Sequence, residues 1–238
     1  MIKPIIYVRA GHSGIDPKTG LYLTKEDSNS KWYDHKNGKM YHKGSQFFEG
    51  ESNRDIAAEF IKQATASRFH VVPIHHPYLD FSLGEYCDEA NAHAKKHTTP
   101  SSPAIFLDIH SNASGSGKAR GMTTLYYPGY IDKNTGLAVD RPSRGGKLLA
   151  ESMSSCVNPL FLEYGSDYKQ SVRPGWMYKG NKPYAVYYML QNTNMPSIII
   201  ENGFFDNEKD ADLLMNHEFC VELVAQMVRG VQRYFNNL

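Results

Sequence analysis

The stretch Ala104–Ile109 (AIFLDI) is a mostly apolar run that leads directly into His110-Ser111-Asn112-Ala113. A short apolar run of this kind, bounded by polar residues, is typical of a buried β-strand. Ile5–Val8 and Ile198–Ile200 have the same character, and each also leads into polar residues. Three buried strands that end in polar groups therefore form the centre of the expected fold.

The segments between these strands carry the spacing of amphipathic helices, as where Ile56, Phe60 and Ala64 recur on one face. Pro73 interrupts the strand candidate Val71–Ile74, which predicts an edge position for that strand. Residues 158–183 carry neither pattern, so we expect a loop there. Helices are expected over 53–64, 83–94, 144–157 and 184–190, with two more after Ile200, and one further strand over 121–127.

This alternation of strands and helices predicts an α/β fold. We expect a single twisted sheet, mostly parallel but mixed, that is flanked by helices on both faces. The chain of 238 residues shows no internal repeat and no low-complexity linker. One domain over residues 1–238, without a separate binding domain, is therefore the expected organisation.

Composition and charge limit the classes of function. The formal net charge is +1, whereas nonspecific binding to nucleic acid needs a strongly basic surface. No apolar run approaches the roughly 20 residues that span a bilayer, so we expect no membrane insertion. Met1–Val8 lacks the features of a signal peptide, and His12 follows almost at once. We therefore expect the protein to be made in a cytoplasm.

Polar side chains follow the three central strands at their carboxyl ends, which is where open α/β sheets form their sites. His12 follows the first strand, His110 the second and Glu201 the third. If these strands are parallel neighbours, the three side chains emerge at one edge. Glu49 precedes the first helix, whose N-terminus is expected at the same edge. A buried carboxylate such as Glu201 needs a cation, a metal or a donor, because an unpaired buried charge is costly.

This set of residue types is that of a catalytic zinc site. Two histidines and one carboxylate hold zinc in several hydrolases, a water completes the shell, and a second carboxylate can act as general base. Other hydrolase and nucleotide-binding patterns are missing from the sequence. It contains no Gly-x-Ser-x-Gly stretch, and Arg144–Lys147 lacks the spacing of a phosphate-binding loop.

The chain resembles the zinc-dependent N-acetylmuramoyl-L-alanine amidases of type 3, a family that includes bacterial autolysins and phage endolysins. Four motifs carry the resemblance in the family's order, and together they span nearly the whole chain. They are Gly11-His12-Ser13-Gly14, Glu49 with Asn53 and Ile56-Ala57, His110-Ser111-Asn112-Ala113, and Pro196 with Glu201, Gly203, Phe204 and Asn207.

The resemblance implies a function and a set of site residues. His12, Glu49 and His110 would bind Zn²⁺, and Glu201 would be the catalytic carboxylate. The implied substrate is peptidoglycan, and the implied reaction is hydrolysis of the amide bond between the lactyl group of N-acetylmuramic acid and L-alanine of the stem peptide. Two substrate-binding residues are expected: Arg173, whose guanidinium matches a carboxylate, and Asn112.

The chain departs from the family pattern in two places. Arg9 and Ser13 stand where the family often has Asp and Gly, and we expect neither change to affect the ligand chemistry. The stretch 13–48 is longer than expected and could alter substrate preference through its aromatic residues, Tyr22, Trp32, Tyr33, Tyr41 and Phe47. Glu51 is an alternative ligand, although the spacing to Asn53 favours Glu49.

Three interpretations of function remain open at this point. The first is a phage endolysin amidase that is made in the host cytoplasm and acts on the cell wall after release. The second is a zinc peptidase that cuts within the stem peptide, since it would use the same residues. The third is a non-enzymatic protein, either a degenerate wall-binding module or a phage tail component, which is disfavoured because a binder has no reason to retain Glu201.

Overall fold

Six strands, numbered along the chain, form the main sheet of the computed structural model. Their spatial order is β11 (Val172–Pro174), β8 (Thr123–Tyr126), β14 (Ser197–Phe204), β7 (Ala104–Asn112), β1 (Ile5–Ala10) and β6 (His70–Pro73). The structure describes residues 3–18, 20, 23–25, 32–34, 40–41, 47–100, 102–167 and 171–238, with the backbone alone for 23–25, 32–34 and 40–41.

The sheet confirms the expected α/β class. Four of its five neighbouring strand pairs are parallel, and the exception is the antiparallel pair β14–β8. The three apolar runs of the sequence are adjacent, with β7 between β1 and β14. β6, which ends in Pro73, is an edge strand as predicted.

Helices cover both faces of this sheet. Side chains of β7 alternate between the faces, with Ile105 and Leu107 in one apolar cluster and Phe106 in another. The first cluster contains residues of four helices: α1 (Glu49–Ala66), α3 (Arg144–Glu163), α6 (His217–Asn236) and the short helix that follows β14. The second cluster contains residues of α2 (Leu83–His97) and α4 (Tyr188–Asn192). α5 (Glu208–Met215) connects β14 to α6.

The first helix begins earlier than the sequence pattern predicted. It starts at Glu49 rather than near Asn53, and Phe48 at its N-cap makes no side-chain cap hydrogen bond. Glu49 and Glu51 both lie in its first turn, where carboxylates interact favourably with the positive end of the helix dipole. Glu49 is therefore held on a helix terminus instead of on a preceding loop.

The expectation of a loop over 158–183 and of a helix over 184–190 is wrong. α3 continues through Pro159 to Glu163, since Leu160 and Phe161 extend its buried stripe. After β11, a hairpin forms from β12 (Trp176–Lys179) and β13 (Lys182–Val186). Gly180, with φ +62°, supplies the positive φ that a two-residue hairpin turn requires. The short helix α4 begins only at Tyr188.

Smaller strand pairs lie outside the main sheet. β9 (Gly129–Ile131) pairs with β10 (Ala138–Asp140), β2 (Leu23–Lys25) with β3 (Trp32–Asp34), and β4 (Met40–Tyr41) with β5 (Phe47–Phe48). Of the aromatic residues in the long stretch 13–48, Phe47 is buried, whereas Tyr22 and the side chains of Trp32, Tyr33 and Tyr41 lie outside the described residues. Among the described helices, none is long and apolar enough to cross a membrane.

Candidate active site

The polar residues predicted at the strand ends do meet at one edge of the sheet. His110 lies in β7 and is the register partner of Glu201 in the neighbouring strand β14. His12 lies just beyond β1, on the other side of β7. Glu49 reaches the same edge from the N-terminus of α1. Parallel neighbouring strands bring their carboxyl ends together, which is why four distant segments form one site.

The turn that carries His12 has an unusual backbone. His12 adopts φ +64°, a left-handed conformation that is uncommon for residues other than glycine and is found often at functional sites. Gly11 precedes it, and a Cβ atom at Gly11 would lie 2.1 Å from the His110 imidazole. Asn53 of α1 donates to the Gly11 carbonyl at 3.1 Å. Absence of a side chain at Gly11 therefore lets the two imidazoles approach each other.

His12, Glu49 and His110 form a compact donor cluster. Glu49 Oε1 lies 3.3 Å from both His12 Nε2 and His110 Nδ1. The two imidazole rings are 4.9 Å apart and nearly perpendicular, at 89°. One ligand atom from each residue lies within 4.8 Å of the others. In the part of the chain that the structure describes, no second group of three such donors satisfies this distance.

The charges of the cluster favour a cation. Burial opposes the ionisation of Glu49, but His12 and His110 outweigh it and hold the pKa of that carboxyl well below its usual range. Burial likewise disfavours a charged His110, yet Asp108, Glu49 and Glu201 raise the pKa of its imidazole to about 10. The same negative charges that favour a protonated imidazole also favour a divalent ion, which would displace that proton on binding. Two imidazoles and one carboxylate are a fitting donor set for zinc.

Glu51 does not belong to the donor cluster. Its Oε1 accepts the backbone N–H of Ile15 at 2.5 Å, and Gly14 lies against the same oxygen. Glu49 is instead 1% exposed, and its Oε1 also accepts the N–H of Ser111 at 3.2 Å. The geometry therefore favours Glu49 over Glu51 as a ligand.

A buried ion pair contacts the other side of His110, and the sequence analysis missed it. Arg9 donates to Asp108 at 2.8 Å, and Asp108 Oδ1 lies 3.3 Å from His110 Nε2. Arg9 itself approaches the same nitrogen at 3.3 Å. The expectation that Arg9 does not affect the ligands is therefore wrong. A usable signal existed, because Asp108 lies two positions before His110 and so shares its face of the strand.

The charges of Glu201 and Arg173 both affect the pKa of Tyr187, a residue that the sequence analysis also missed. Burial raises the pKa of Tyr187, Glu201 raises it further, and Arg173 opposes both. Tyr187 directly precedes α4, whereas Arg173 is half-buried on the edge strand β11. Glu201 and Arg173 are therefore each within electrostatic reach of Tyr187. The Asn112 side-chain oxygen accepts the N–H of Ala113 at 2.9 Å, so its role in substrate binding stays a prediction.

This arrangement has the donor set of sites in which two imidazoles and a carboxylate could hold a metal at the edge of an α/β sheet. The chain belongs to the N-acetylmuramoyl-L-alanine amidase family Amidase_3, whose family model matches residues 6–233.

Two solved structures share this fold at low sequence identity, and a curated relative matches in sequence alone. Ami1 of Mycobacterium smegmatis is 16% identical with a TM-score of 0.69, over 100% of this chain and 99% of Ami1. The catalytic domain of the CD27L endolysin, which targets Clostridia difficile, is 17% identical with a TM-score of 0.57, over 94% of this chain and 96% of that domain. Bacillus subtilis LytC, an N-acetylmuramoyl-L-alanine amidase, is 24% identical over 192 residues. That match covers 81% of this chain and 32% of LytC, so the chain spans about a third of that relative.

Proposed function

We propose that this protein hydrolyses the amide bond between the lactyl group of N-acetylmuramic acid and L-alanine in peptidoglycan. One observation carries the proposal: the donor atoms of His12, Glu49 and His110 lie within 4.8 Å of one another in a member of the amidase family. His12, Glu49 and His110 would hold Zn²⁺. A zinc ion bound there would supply Lewis acidity and a water of lowered pKa.

Glu201 is the general base and acid of the proposed reaction. Glu201 is the register partner of His110 in the neighbouring strand, so it lies next to the donor cluster. It is not one of the three donors that form this cluster. Glu201 would accept the proton of the attacking water. It would then give that proton to the leaving nitrogen of L-alanine as the C–N bond breaks. The products would be a glycan with a lactyl carboxylate and a stem peptide with a free amine.

Arg173 would orient the stem peptide by pairing with one of its carboxylates. The pKa of Tyr187 supports this role, because Glu201 raises that pKa and Arg173 lowers it. This pairing would fix the peptide side of the substrate relative to the proposed general base. Asn112, two residues beyond His110 on β7, would contact the substrate at the same edge.

A phage endolysin is the biological setting that we propose. The enzyme would be made in the host cytoplasm and would reach the cell wall after release at lysis. The similarity of the fold to the catalytic domain of the CD27L endolysin supports this setting.

Mass spectrometry of digested peptidoglycan tests the reaction. Zinc-loaded protein should release stem peptides that begin with L-alanine, and a chelator should abolish their release. A Glu201→Gln variant serves as a matched control for contaminating hydrolases. Cuts inside the stem peptide would contradict the amidase proposal and identify a zinc peptidase. Binding of peptidoglycan without any cleavage, by protein with confirmed bound zinc, would contradict both enzymatic interpretations.

A further inference from the structure

The two ring nitrogens of His110 face different environments. Nδ1 faces the donor cluster, at 3.3 Å from Glu49 Oε1, whereas Nε2 faces the buried pair of Arg9 and Asp108. Asp108 is 1% exposed and Arg9 is 2% exposed, so water does not screen their charges effectively. The proposed amidase reaction assigns no role to either residue.

We propose that Asp108 is a positioning residue that accepts the Nε2–H of His110 and thereby directs the Nδ1 lone pair of that ring toward the metal. Arg9 holds Asp108 in place for this contact. The inference rests on the metal site of the proposed function and adds to it the residue that sets the affinity of that site.

The hydrogen-bonding capacities of the His110 ring and the Asp108 carboxylate determine which ring nitrogen carries the proton. A neutral imidazole carries one N–H and one lone pair, and only the nitrogen with the lone pair can bind a metal. An ionised carboxylate only accepts hydrogen bonds. With Asp108 Oδ1 3.3 Å away, the Nε2–H tautomer is favoured, and Nδ1 is left free to coordinate. Carboxylates that orient metal-binding histidines in this way typically raise metal affinity.

Arg9 would favour the opposite tautomer if it were not already engaged. Its Nη1 lies 3.3 Å from His110 Nε2 and could donate there, which would move the ring proton to Nδ1 and block coordination. The shorter bond of 2.8 Å goes to Asp108 instead. Asp80, at 3.3 Å, and the ring of Tyr86, 4.6 Å from the guanidinium carbon, hold Arg9 from other sides. Asp108 therefore both occupies Arg9 and orients His110.

Zinc affinity, measured by competition with a chromophoric chelator, tests this role. Asp108→Ala should weaken zinc binding by about 10–100-fold. Asp80→Asn is the matched control, because it also removes a carboxylate near Arg9 but does not contact His110. It should leave zinc affinity unchanged. The spectrum of the cobalt-substituted protein should change in Asp108→Ala and not in Asp80→Asn, which gives a readout that is independent of activity.

A double variant separates positioning from folding. Asp108→Ala leaves Arg9 buried without its closest counter-charge, which by itself is destabilising. Replacing the pair by apolar residues in Arg9→Met/Asp108→Leu removes that effect. We expect a melting temperature near that of the unchanged protein and zinc affinity still about 10–100-fold weaker. Recovery of full zinc affinity in the double variant would overturn the inference and leave the proposed function intact.

Nitrogen NMR of the histidines in the zinc-loaded, unchanged protein gives a test without substitutions. The inference predicts a slowly exchanging Nε2–H on His110 and coordination through Nδ1. Coordination through Nε2 would overturn the positioning role of Asp108, although zinc would still be bound. Absence of stoichiometric zinc binding would overturn this inference and the proposed function together.

Discussion

Glu201 and His110 are register partners in the adjacent strands β14 and β7. The two groups also interact electrostatically, since Glu201 is one of the charges that raise the pKa of His110. A carboxylate in this position is close to the donor cluster, yet it does not belong to the three donors within 4.8 Å of one another. This difference in position supports the proposed division of roles, in which Glu49 would bind the metal and Glu201 would transfer the proton.

Glu201→Gln should therefore retain zinc and lose turnover. Loss of general acid–base catalysis lowers kcat by roughly 10²–10⁴-fold, while the donor cluster stays intact. The measurement is kcat on a soluble muramoyl peptide, together with zinc content by elemental analysis. Glu89→Gln, on the exposed surface of α2, is the control and should be fully active. An active Glu201→Gln variant would show that another group moves the proton.

Glu49→Gln and Glu51→Gln should differ in zinc binding although the two positions are two residues apart. Only Glu49 lies within 3.3 Å of both imidazoles, whereas Glu51 binds the backbone of Ile15. Zinc at 100 times its dissociation constant should stabilise the unchanged protein by about 2.7 kcal/mol. We expect the same thermal shift in Glu51→Gln and none in Glu49→Gln. The reverse result would make Glu51 the ligand.

The meeting of four distant segments could be predicted because it depends on strand order and chain direction. Apolar runs mark β1, β7 and β14 in the sequence, and parallel strands place His12, His110 and Glu201 at one edge. The sequence also led us to expect a buried carboxylate at Glu201, which directly follows three isoleucines, and the structure shows it half-buried in β14. Strand order and chain direction do not depend on individual side-chain contacts, so they can be predicted from the sequence.

The contact between Arg9 and Asp108 could not be predicted from the alternation of residues along a strand alone. Alternation shows that Asp108 and His110 share a face, but only the register Arg9↔Asp108 between β1 and β7 brings the cation there. The hairpin β12–β13 was missed for a different reason. It is partly exposed along most of its length, so its sequence carries little of the hydrophobic period that identifies buried strands.

Gly11→Ala should weaken both folding and zinc binding. The added methyl group would lie 2.1 Å from the His110 ring, so the imidazole must move out of the donor cluster. Overpacking of this kind costs about 1–3 kcal/mol of unfolding free energy, which chemical denaturation measures. Gly84→Ala in α2 is the control, since its nearest atom would be 3.5 Å away. It should change stability by less than about 1 kcal/mol. Equal effects of the two substitutions would contradict the close approach at Gly11.

Asp210 stabilises the segment that follows Glu201, and its removal should be costly. Its buried carboxylate accepts hydrogen bonds from Arg120 at 3.0 Å, from the Gly121 N–H at 2.7 Å and from the Phe204 N–H at 3.0 Å. These hydrogen bonds connect the end of β14 to the residues just before β8. Asn207 caps α5 and so fixes the turn that carries Asp210, which gives a structural reason for the asparagine in that motif.

Asp210→Ala should lower the free energy of unfolding by about 3–5 kcal/mol, since it removes the buried counter-charge of Arg120 and leaves two backbone donors without their acceptor. Urea denaturation measures this change. Glu151→Ala is the comparison, because Glu151 forms an exposed pair with Lys147 at 4.0 Å, and such pairs contribute less than about 1 kcal/mol. Because β14 carries Glu201, kcat of the folded Asp210→Ala protein should also fall, whereas kcat of Glu151→Ala should not. A stable Asp210→Ala variant with unchanged kcat would show that the end of β14 is held by other contacts.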